Sequence, residues 1–85
     1  MMTKLEEKLK ELGYELEIEE DMVIAAKEIN GNADIVIGLW DGQIKHYYVY
    51  SYLPKHISSQ ASIDGIQQAF DIMKRDLEKL KNVKN

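Results

Sequence analysis

Two dipeptides, Asn30-Gly31 and Asp41-Gly42, constrain more than anything else what this chain can fold into. They separate three runs rich in β-branched and aromatic residues: Met22 to Ile29, Asp34 to Trp40 and Gln43 to Leu53. Asn-Gly and Asp-Gly favour the positive-φ turns that join neighbouring antiparallel strands. The spacing therefore predicts a three-stranded β-meander, ended by Pro54, which has no N–H to donate to a ladder. A two-residue loop at Asp41-Gly42 sets Trp40 opposite Gln43, Leu39 opposite Ile44, Ile37 opposite His46 and Ile35 opposite Tyr48.

Helical periodicity flanks the meander on both sides. Met2, Leu5, Leu9 and Leu12 recur at spacings of three and four, with Thr3 placed to cap the start and Gly13 the end. Ile63, Ile66, Phe70, Met73, Leu77 and Leu80 form a second stripe, widened by Ala69 and Ile72. Ser58, Ser59 and Ser62 offer caps to it, after a long connection over 54–61. The stripe is too short for a coiled-coil seam and suits a helix that covers a sheet. Between the first helix and the meander, residues 14–20 alternate: Tyr14, Leu16 and Ile18 to one side, Glu15, Glu17 and Glu19 to the other. This is a candidate fourth strand, although glutamate is a poor strand former. The fold class expected is α+β. A two-layer single domain over residues 1–85 packs an antiparallel meander of three or four strands beneath an N-terminal and a C-terminal helix on one face.

Composition closes several alternatives. The 85 residues are 45% hydrophobic and 31% charged, in the range of folded domains rather than disordered chains. The absence of cysteine excludes disulfides, thiol chemistry and Cys-ligated zinc. The longest apolar run, Ile35 to Trp40, is strand-sized, and Glu6, Glu7 and Glu11 interrupt the region where a signal's apolar stretch would lie. The expectation is a cytoplasmic protein with no membrane partner.

Alternation sorts the expected sheet into two faces. One carries Met22, Ile24 and Ala26, then Ile35, Ile37 and Leu39, then Ile44, His46, Tyr48 and Tyr50. As the more apolar set, it is expected beneath the helices. The other carries Val23, Ala25 and Lys27, then Asp34, Val36, Gly38 and Trp40, then Gln43, Lys45, Tyr47 and Val49. Trp40, Tyr47, Val36, Val49 and Lys45 are accordingly the candidate interaction surface, since aromatics with few charges mark interface cores. The competing reading is that Trp40 and Tyr47 merely cover Gly38.

Little in the sequence points to catalysis. His46 and His56 lie ten positions apart with no Cys partner and no carboxylate at ligand spacing, so no metal site is expected. Ser58, His56 and Asp64 lack a nucleophile elbow, and the glycines at 38 and 42 match no phosphate loop. We expect no cofactor, no catalytic residue and no enzyme. Charge is uneven: residues 1–21 hold three lysines against eight carboxylates, in a chain of net charge −4. Glu15, Glu17, Glu19 and Glu20 form an acidic strip that could discourage edge pairing or meet a basic partner.

The helix–three strands–helix order resembles the double-stranded RNA-binding domain. That family's lysine cluster before the last helix is replaced here by Ser58-Ser59-Gln60-Ala61-Ser62, and its Gly-Pro-His loop by Asn30-Gly31-Asn32-Ala33. No binding residue carries over, and an acidic chain is a poor nucleic-acid ligand. LEEKLKELGY near the start and SIDGIQQAFDIMKRDLEKLK near the end resemble small proteins of Gram-positive bacteria and their phages and prophages. That resemblance implies a phage-type protein, placed in the host cytoplasm if phage-encoded. The function expected is binding of another protein or of a second copy, with a homodimer through the open sheet face as one form. An anti-defence inhibitor using its acidic surface and a double-stranded nucleic-acid-binding domain are the alternatives.

Overall fold

The computed structural model describes residues 2–52 and 60–84. Its order is α1 (Lys4–Glu11), β1 (Glu15–Glu19), β2 (Met22–Ile29), β3 (Ala33–Trp40), β4 (Gln43–Ser51) and α2 (Gln60–Lys81). The strands form one antiparallel sheet in the order β1-β2-β3-β4, so residues 14–20 do contribute a fourth strand. The expected α+β class, with both helices on one face, is what the chain adopts.

Local chemistry sets the element ends. Thr3 is extended and its hydroxyl accepts the Glu6 N–H at 3.2 Å, capping α1. At the other end Gly13 takes φ 98°, its N–H reaching the Lys10 carbonyl while the Tyr14 N–H reaches that of Leu9. That pairing satisfies two orphan carbonyls and turns the chain into β1. Asp41 and Gly42 both have positive φ, and Trp40 pairs with Gln43, as a two-residue hairpin requires. Ser62 lies inside α2 rather than capping it. Ser58, Ser59, Pro54 and His56 fall outside the described residues.

One continuous core lies between the sheet and the helices. Ala33, Ile35, Ile37 and Leu39 of β3 are all buried, with Leu5 and Leu9 of α1 and Ala69, Met73 and Leu80 of α2 packed against them. Each fully buried Ile or Leu here contributes about 2–3 kcal/mol. The face of α2 is rotated from the expected stripe: Ala69, Met73, Asp76 and Leu80 point inward, whereas Ile63 and Phe70 are exposed.

Two insertions of a single residue reassign the sheet faces. Ile29 pairs with Ala33, so the loop between β2 and β3 has three residues, Asn30-Gly31-Asn32. Odd-numbered residues of β2 therefore share a face with odd-numbered residues of β3. Val23, Ala25, Lys27 and Ile29 go under the helices, and Met22, Ile24 and Ala26 do not. On β4, Leu39 pairs with Ile44 but Gly38 pairs with His46, so Lys45 is an extra residue at a β-bulge. Beyond it every side chain changes face. Ile37 meets Tyr47 and Ile35 meets Val49, in place of the expected His46 and Tyr48. His46, Tyr48 and Tyr50 thus lie on the open face.

Candidate functional site: the open face of the sheet

The face left bare by the helices reads in rows, one per strand. β1 presents Glu15, Glu17 and Glu19; their neighbours across β2 are Ala26, Ile24 and Met22. β3 follows with Asp34, Val36, Gly38 and Trp40, then β4 with Gln43, His46, Tyr48 and Tyr50. Tyr52 continues the last row, its N–H donating to the Asn32 carbonyl at 3.3 Å. None of these side chains belongs to the core cluster. Trp40, Tyr48, Tyr50 and Tyr52 are 46%, 48%, 56% and 41% exposed, an unusual concentration of aromatic surface for a chain this small.

The candidate surface drawn from sequence is divided by this geometry. Val36 and Trp40 are on the open face. Tyr47 and Val49 are on the helix side, where Val49 packs on the core and Tyr47 lines a groove with Ile44, Lys74 and Leu77. Lys45 sits at the bulge, its ammonium donating to Gln43 Oε1 at 3.2 Å. The acidic strip stays together: Glu15, Glu17 and Glu19 line the open face, and Glu20 occupies the following turn at φ 31°. Gly38 is indeed covered by a cross-strand ring, but the ring is His46. A Cβ at position 38 would run into the His46 ring at Nε2. The His46 ring stacks in turn with Tyr48 at a centroid distance of 6.2 Å, and Tyr50 tilts against Tyr52 at 6.3 Å.

Electrostatically the face is one-sided. Glu28 and Asp34, paired across β2 and β3, add two carboxylates next to Tyr50. Partial desolvation, then the charges of Glu28 and Asp34, hold the Tyr52 hydroxyl above the usual tyrosine range. Among the described residues of this face, Lys45 is the one lysine or arginine. A base-stacking platform needs aromatics on the open face together with cations for the phosphates. The aromatics are present, but carboxylates take the place of the cations.

A second polar cluster, missed in the sequence, lies on the helix side. Asp76 is fully buried, and its Oδ2 accepts from the Tyr14 hydroxyl at 2.8 Å and from Lys27 Nζ at 2.7 Å. Lys27 also donates to the Leu12 carbonyl at 2.8 Å and sits 4.7 Å above the Tyr14 ring. Arg75 lies 3.7 Å from Asp76 Oδ1, a buried oxygen with no hydrogen-bond partner among the described residues. Lys27 thereby binds the end of α1, strand β2 and helix α2 together. Desolvation by burial, then the hydrogen bond to Asp76 and its negative charge, pushes the Tyr14 hydroxyl strongly upward, Arg75 opposing. The signal available in the sequence was an aspartate three residues after Met73 and four before Leu80, on the apolar stripe itself.

Among the described residues, no group of three or more His, Asp or Glu is arranged to hold a metal ion, and no helix is long and apolar enough to cross a membrane. Fold and site define a two-layer α+β domain with one acidic and aromatic sheet face that no described helix or strand covers. No family model matches the chain, and neither a curated protein nor a solved structure gives a match.

Proposed function

We propose that this protein is a non-enzymatic protein-binding module whose contact surface is the open face of the sheet. The observation that carries the reading is the row of exposed rings from Trp40 across to Tyr48, Tyr50 and Tyr52 on a face that no described helix or strand covers. Tyrosine and tryptophan supply large contact area at low cost in side-chain entropy and dominate interface energetics. The polar cluster of Tyr14, Lys27 and Asp76 is a structural tie in this reading, since its groups satisfy one another between buried elements. The resemblance to phage proteins suggests a host protein as partner. Inhibition of a host defence protein is the form of the reading that the acidic row favours.

The test is retention of cellular proteins by three immobilised forms of the full chain: wild type, Trp40→Glu and Phe70→Glu. Glutamate at position 40 removes the ring and preserves the sign of the face. Phe70 is an exposed control on α2, in the opposite layer. A partner held by wild type and Phe70→Glu but lost by Trp40→Glu supports the open face as the binding surface. Equal retention by all three removes it.

A further inference from the structure

We infer that the occupant of the open face is a cationic polypeptide segment, carrying lysine or arginine along β1 and arginine over the tyrosine row of β4. The inference rests on the open face being the binding surface and adds the chemistry of what binds there. Glu15, Glu17 and Glu19 border the face on one side, and Glu28 with Asp34 closes one end beside Tyr50. The sole opposing cation among the described residues of the face, Lys45, is already engaged by Gln43. A second copy would add its own five carboxylates to the five already on this face, and a nucleic acid would bring phosphates. Like charges brought together in an interface cost several kcal/mol. A cationic segment reverses the sign of that interaction.

Spacing and surface agree with the charge. Alternate residues along a strand are about 6.7 Å apart, so the glutamate row matches the alternate side chains of an extended segment laid along it. The row of β4 lies about 14 Å away across the sheet. There the Tyr48, Tyr50 and Tyr52 rings are accessible to guanidinium planes, which stack on aromatic faces. Between the two rows, Met22, Ile24 and Val36 offer an apolar floor for the aliphatic stems of long basic side chains.

Trp40 is the only tryptophan in the chain and stands on this face, so its fluorescence reports occupancy directly. Dilute full-length protein is titrated with three short synthetic peptides: alternating arginine and threonine, serine and threonine, and glutamate and threonine. The basic peptide is expected to give a saturable change in Trp40 emission, weakened by raised salt, with no response to the other two. Glu15→Gln, Glu17→Gln and Glu19→Gln together should weaken its binding about tenfold. Absence of a saturable response, equal binding of the serine peptide, or unchanged affinity in the triple variant overturns the inference. A dimer by light scattering with Trp40 already shielded also overturns it, in favour of a second copy. The two readings fail separately. A cellular partner lost with Trp40→Glu but held by the triple Gln variant in high salt leaves the open face as the binding surface and removes only the cationic occupant.

Discussion

Lys27 is the residue on which the architecture turns. Its ammonium reaches the last carbonyl region of α1 through Leu12, the ring of Tyr14 and the carboxylate of Asp76. A buried ion pair gains little over a well-packed apolar substitute, but removing one partner strands the other. Tyr14 adds a dependence on pH. Its hydroxyl is held protonated in the fold by burial and by Asp76, whereas in the unfolded chain it ionises near pH 10. The unfolded state therefore releases a proton that the folded state keeps. Stability from this group is complete below pH 10 and declines by about 1.4 kcal/mol per pH unit above it. Tyr14→Phe is expected to cost about 1.5–3 kcal/mol at neutral pH, the value of a hydrogen bond to a charged group. It should also remove this part of the alkaline decline. Urea melts of both proteins from pH 8 upward measure the two effects. Tyr52, raised in the same direction, contributes equally to both and cancels in the comparison. Parallel curves above pH 10 would contradict the assignment.

At the scale of elements, strand order and turn positions were legible because Asn-Gly and Asp-Gly report directly on backbone conformation. Helix limits were legible for the same reason at Thr3 and Gly13. Face assignment was not, because it depends on the parity of a residue count. Asn32 follows a perfectly recognisable Asn30-Gly31 turn, yet it adds one residue before pairing resumes at Ala33. Its carbonyl takes the Tyr52 N–H, and its amide lies 2.6 Å from where a Cβ on Gly65 would be, so the residue is used by both β4 and α2. Lys45 makes the second parity change, and nothing in Gln43-Ile44-Lys45-His46 announces a bulge. Of the residues expected on the open face, Trp40 and Val36 consequently lie on it and Tyr47 and Val49 on the helix side, while His46, Tyr48 and Tyr50, expected beneath the helices, lie on the open face. Deletion of Asn32 tests this account. With Ile29 forced one residue out of register, Lys27 would turn outward and Met22, Ile24 and Ala26 inward, leaving Asp76 buried without its cation. Deletion is expected to abolish the cooperative urea transition, whereas Asn32→Gly, which preserves the count, should retain it at a cost near 1 kcal/mol. Circular dichroism through a urea titration distinguishes the two outcomes.

For the whole molecule, the question is why a sheet this small keeps a row of glutamates where better strand formers would serve. Glu15, Glu17 and Glu19 occupy an edge strand, and glutamate is among the weaker residues for that geometry. They also stand in line as like charges. Both effects oppose stability, so threonine at all three positions should raise it, by about 1–2 kcal/mol from propensity and relieved repulsion together. The same change should expose the molecule to itself. β1 would become a flat edge without charges, continuous with a face that already carries Trp40, Tyr48 and Tyr50. Unprotected edges and bare apolar faces associate. Glu15→Thr, Glu17→Thr and Glu19→Thr together are therefore expected to unfold at higher urea than wild type and to sediment as larger species as concentration rises, with wild type unchanged over the same range. A variant that gains stability and stays monomeric would show that the row is not what keeps the face unpaired, and would leave a charged partner as the reason for its presence. A variant that gains nothing would show that the glutamates cost the fold nothing. In the expected case, stability is given up along one edge so that an aromatic face stays unpaired in solution.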